Sequence, residues 1–182
     1  MCSCGQTLAL WTAEGTGAMI TARMGDRCVA SHATAALLHG IPVLNHGDDL
    51  FVTVPRDALS PRRYGDLVVR EAALPESHVT TLHDIRLTTV ERTAVDIARA
   101  RCPEEGVMVA DAAVRAGLVH EPALRHVFAV AKGWPGVRRA RKVLAFADGR
   151  SESPLESVAR WKFAHAGLPT PVLLRRALGG VG

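Results

Sequence analysis

The chain has 182 residues, 48% of them hydrophobic and 22% charged, with a formal net charge of +4 at pH 7. That length suits one ordinary domain, or one domain and part of a second, and the composition excludes a disordered chain. No run approaches the roughly 20 apolar residues that span a bilayer, and the opening MCSCGQTLALWTAEG lacks the basic start and apolar stretch of a signal peptide, so a cytoplasmic location is expected.

Residues 1–28 show no sustained period and are read as a weakly specified N-terminal segment. SHATAALLHGIP follows as a short buried helix, with Ser31 as its cap, Gly40 at its stop and Pro42 beyond. LFVTVP (50–55), DLVVREA (66–72) and VTTLHDIRLTT, turning at His83-Asp84, predict three or four short strands, with PRRYG as a turn-rich link. The connections look too short for crossover helices, so antiparallel pairing is expected.

From Thr88 the period becomes helical. TTVERTAVDIARAR carries a capping-box spacing from Thr88 to Glu91 and an apolar side through Val90, Ala94 and Ile97. Arg92, Asp96 and Arg99 fall on the other side, where Arg92 and Asp96 form a surface pair or meet a partner. Three more helices follow: one opens at Pro103 and closes at Gly117, one closes at Gly133, and one covers WPGVRRARKVLAFADG. A last helix starts at Ser153-Pro154, with Glu156 at its third position, and ends at Gly167; TPVLL after it has the make-up of a strand. The fold class is therefore α+β: a small, mostly antiparallel sheet packed with a bundle of short helices.

Charge is unevenly spread. From Trp134 onward nine basic residues face three acidic ones, a net +6, against −2 for the remaining 133 residues. Arg138, Arg139, Arg141, Lys142 and Arg150 form either a solvated face or a patch that contacts a nucleic-acid backbone. Other chemistries find little support. Cys2, Cys4, Cys28 and Cys102 are too few and too uneven for a disulfide scaffold, and the His spacings do not match a zinc site. No G-x-S-x-G and no phosphate-binding glycine loop occurs.

At SHATAALLHGIP, LTTVERTAVDIARA and GWPGVRRARKVLAFADGRSESPLESVARWKFAHAGLP the sequence resembles the AbiEi-like antitoxins of type IV abortive-infection systems, many of which carry a very-short-patch-repair-like endonuclease domain behind them. The resemblance runs from about Val29 to Pro171 and is strongest at RTAVDIAR and SESPLES. It implies an AbiEi-like domain over 29–150, followed by an incomplete endonuclease-like segment over 151–182 whose one helix opens the nuclease fold. It also implies DNA binding through an N-terminal winged helix-turn-helix, a cognate toxin as protein partner, and a PD-(D/E)XK site in which Glu156 is the first catalytic acid and Mg2+ ligand. Residues 1–28 do not read as that winged module, and between Ser157 and Gly182 there is no Asp or Glu to complete the metal site. The expectation is a non-catalytic, antitoxin-like regulatory protein without a cofactor. The alternatives are a truncated metal-dependent endonuclease and a decayed reading frame.

Overall fold

The computed structural model describes residues 28–44, 47–56, 62–169 and 171, and the readings of 1–27 and of TPVLL lie outside the described residues. The fold is α+β. Its elements, in order, are β1 (Val29–Ala30), α1 (His32–Leu38), β2 (Leu50–Val54), β3 (Arg62–Tyr64), β4 (Leu67–Glu71), a 3-10 turn (Glu76–His78), β5 (Val79–Leu82), β6 (Ile85–Thr88), α2 (Val90–Ala100), α3 (Pro103–Arg115), α4 (Glu121–Val130), α5 (Val137–Ala145) and α6 (Pro154–His165).

The strands form one sheet in the order β3-β4-β2-β1-β6-β5. It is mixed rather than antiparallel throughout: β2 pairs with β4 and β1 with β6 in parallel, while β1–β2, β3–β4 and β5–β6 are antiparallel. The reason lies in RRY, expected as part of a link. It is an edge strand, and it reverses the chain so that β4 can return beside β2 in parallel without a crossover helix. The His83-Asp84 turn does what its residues predict, with φ of +48° and +60° closing the two-residue hairpin between β5 and β6.

One sheet face is apolar through Leu50, Val52, Val54, Leu67, Val69 and Leu87, and Ala35 of α1 packs on it. The helices build two further cores around α2. Ala94 and Ile97 meet Met108 and Val109 of α3, while Val95 and Ala98 meet Val127, Ala140, Val143 and Trp161. Where α2, α3 and α5 cross, Gly106 is required: a Cβ there would lie 2.9 Å from Val143 Cγ1 and 3.0 Å from Ala98 Cα.

Helix starts follow the sequence with two shifts. Thr89, not Thr88, caps α2, because Thr88 is still in β6, where its hydroxyl bonds that of Thr93 at 2.6 Å. Ser31 does not cap α1; its hydroxyl bonds the ring of His32 instead. At α6 the expected cap is present: Ser153 Oγ accepts from Glu156 N–H at 3.2 Å. Ser153→Ala is expected to lower stability by about 1 kcal/mol, read as a shift of the urea midpoint at constant slope.

Helix α6 is anchored on α3 by a buried ion pair, Arg160 Nη1 to Asp111 Oδ2 at 2.8 Å. Arg160 Nη2 also donates to Phe146 O at 2.7 Å, and Trp161 stacks edge-on against Phe146. The same Asp111 accepts from Asp148 N–H, so one carboxylate ties the end of α5 and the middle of α6 to α3.

Candidate functional site

Arg92 and Asp96 are not on the surface. Both are fully buried, because α2 has packing on both sides and nine of its eleven residues are shielded from solvent. The apolar stripe alone could not show this, since a helix with two cores has no free polar face. Arg92 Nε donates to Asp96 Oδ2 at 2.8 Å, and Arg99 Nε donates to Asp96 Oδ1 at 2.9 Å. Burial pushes the Asp96 carboxyl up, but His32, Arg92 and Arg99 around it outweigh burial and hold it below the usual carboxylate range. Arg92 Nη1 donates to Ala73 O at 2.9 Å and lies 3.3 Å from His78 Nδ1.

The two guanidinium groups on Asp96 also lie over one ring, Trp134, at 4.6 Å for Arg92 and 5.0 Å for Arg99. Such cation–π contacts are strongest on indole. Trp134 belongs to the GWPG loop between α4 and α5. Gly133 and Gly136 there have φ of +84° and +78°, and a Cβ at Gly136 would overlap the Arg99 carbonyl oxygen. The buried charges thus fix the loop, and the loop shapes a surface hollow of about 580 Å³ whose walls include Lys132, Trp134, Arg138 and Arg141. Among the described residues no acidic one lines it, and α5 has none in its first turn.

The five expected basic residues separate by their partners. Arg138 and Lys142 are exposed and make no hydrogen bond or ion pair with described residues. Arg141 lies 4.5 Å over the Phe128 ring, which orients it. Arg139 instead closes the end of α2, donating to Ala98 O at 3.3 Å and Arg99 O at 2.6 Å. Arg150 chelates Asp148 at 2.6 Å and so brings little net charge; the contact holds the Asp148 carboxyl down at about 2. Lys132 and Trp134 were not singled out from sequence. GWPG was the available signal, since two glycines around Trp-Pro mark a turn that presents an aromatic ring.

Glu156 is exposed at the start of α6, and its Oε2 accepts from Glu152 N–H at 2.7 Å, one residue before the cap itself. Among the described residues no three His, Cys, Asp or Glu side chains gather in a metal-binding group. No helix among them is long and apolar enough to cross a membrane.

No family model matches the chain. Two uncharacterized proteins of Mycobacterium tuberculosis, from two strains, are each 32% identical to it over 154 residues, which is 82% of this chain and 54% of theirs. The chain thus spans about half the length of the curated relatives it matches.

Proposed function

We propose that the chain is a non-catalytic regulatory protein, antitoxin-like in the AbiEi sense, that contacts the DNA backbone through the face built by Lys132, Arg138, Arg141 and Lys142. The observation that carries this reading is the basic hollow around Trp134, lined by no acid among the described residues and held in shape by the buried Arg92–Asp96–Arg99 cluster. Cations on a rigid loop and helix suit phosphates and carry no sequence information themselves. A cytoplasmic location and a protein partner such as a cognate toxin accord with the same reading.

Duplex binding is expected to be sequence-independent, with log K falling against log salt at a slope near −0.9 for each phosphate neutralised. Arg138→Glu with Lys142→Glu is expected to weaken binding at least about tenfold and to flatten the slope. A mobility titration that detects no complex at low or at moderate salt removes the proposal.

The endonuclease alternative rests on Glu156. The described residues place no cluster of acids around it, so they do not by themselves fit a magnesium ion held by several carboxylates. DNA cleavage with magnesium that Glu156→Gln abolishes decides for that alternative.

A further inference from the structure

A second cavity, of about 270 Å³, opens between the sheet and the corner where α2 meets α3. Strand register sets Phe51 beside Val68, and Val68 beside Arg63, so the three share one sheet face; Arg70, two residues after Val68, is on it too. Ile97 and Glu105 close the cavity from the helices, and His32 closes it from the start of α1.

The polar groups here are unusual in what they leave unused. His32 has φ of +51°, a left-handed conformation that costs a non-glycine residue about 1–3 kcal/mol. The residue is 5% exposed, with Nδ1 3.0 Å from Ser31 Oγ, and Ser31 Oγ accepts from Thr53 Oγ1 at 2.8 Å. With the Ser31 hydroxyl as donor to His32 Nδ1, the ring proton sits on Nε2. Burial keeps the ring neutral at pH 7, and Nε2 has no partner among the described residues. Glu105 is 3% exposed; its Oε2 accepts from Arg101 Nε at 2.7 Å, but its buried Oε1 has no donor. A buried acceptor left unmatched costs about 1–3 kcal/mol.

Charge completes the picture. Arg63 is matched by Asp49 through two bonds of 2.6 and 2.9 Å, and Arg101 by Glu105. Arg70 makes no hydrogen bond or ion pair among the described residues, so their lining of the cavity carries one excess positive charge at its rim.

We propose that this cavity binds a small organic monocarboxylate with a single-ring hydrocarbon body, such as a substituted benzoate. The carboxylate meets Arg70 and the Nε2–H of His32, and its hydrocarbon body lies against Phe51, Val68 and Ile97. The volume lies just under the roughly 300–1,000 Å³ of drug-sized sites, which suits a single ring. One excess charge and apolar walls favour a monoanion with a hydrocarbon body over phosphate. This site lies apart from the Trp134 hollow, shares no lining residue with it, and does not depend on DNA binding.

The test is calorimetric and NMR titration of the whole chain with 4-hydroxybenzoate, 4-aminobenzoate, 4-hydroxybenzyl alcohol and inorganic phosphate. At least one of the two acids is expected to bind with a Kd of about 1 mM or tighter, and the alcohol and phosphate at least about tenfold more weakly. Arg70→Gln, at an exposed position, is expected to weaken the acid about tenfold while thermal unfolding stays unchanged. His32→Asn, which keeps a residue tolerant of positive φ, tests the donor independently and is expected to weaken it as well. The proposal fails if neither acid binds, if phosphate or the alcohol binds as tightly, or if neither substitution weakens binding.

Discussion

Asp96→Ala is expected to cost about 3–5 kcal/mol, because it leaves Arg92 buried with no counter-charge and Arg99 without its acceptor. Typical domains are stable by only about 5–15 kcal/mol, so the variant retains a small margin or none. Asp96→Asn keeps an acceptor for one guanidinium and is expected to lose less. Urea unfolding at pH 7 separates the possibilities. A loss below about 1 kcal/mol for the alanine variant contradicts a fully desolvated pair and returns Arg92 and Asp96 to the exposed-pair class. Because Trp134 lies under both guanidinium groups, its fluorescence is the natural probe.

The second large effect is the loss of stability in mild acid. Burial, foremost, lowers His32 to about 4; Arg70, Arg99 and Arg92 add to this and Asp96 opposes it. His78 is lowered to about 4 by burial first, then by Arg92 and His126, again against Asp96. Both rings are neutral in the fold and take up protons more readily once unfolded. Their contribution is therefore complete above pH 6.5 and is lost as the pH falls from 6.5 toward 4, by about 3 kcal/mol for His32 and less for His78. Below that window Asp96 adds a further loss, since its lowered carboxyl stabilises the fold only while it stays ionised. Unfolding free energies measured at pH 7 and pH 4.5 are expected to differ by several kcal/mol, and His78→Asn to shrink the difference. A flat profile between these pH values shows that the two rings are not held neutral.

Much of the fold was legible in the sequence because local punctuation was honoured. Gly40, Gly117, Gly133 and Gly167 each take positive φ just past a helix, and Pro103 and Pro154 each open one. What stayed hidden depends on distant partners. The parallel pairs follow from RRY serving as an edge strand, a pairing that three exposed residues do not announce. Arg139 looks like its neighbours in sequence, yet it is drawn to carbonyls forty residues away. Ser31 reads as a helix cap, and only the folded chain shows its hydroxyl bonding the His32 ring and accepting from Thr53. Charge density thus located the basic face, whereas the buried ions behind it and the His32 cavity needed three dimensions.

Helix α2 meets α1, α3, α4 and α5 and contributes to both helical cores. Such a hub couples the parts it touches: freeing any neighbour exposes the centre, and freeing the centre exposes every neighbour. Opening in small pieces is then costly compared with opening all at once, so the described residues are expected to unfold as a single cooperative unit. A change at Trp134 is felt wherever α2 is felt, and the basic face around that ring is mechanically continuous with the middle of the molecule.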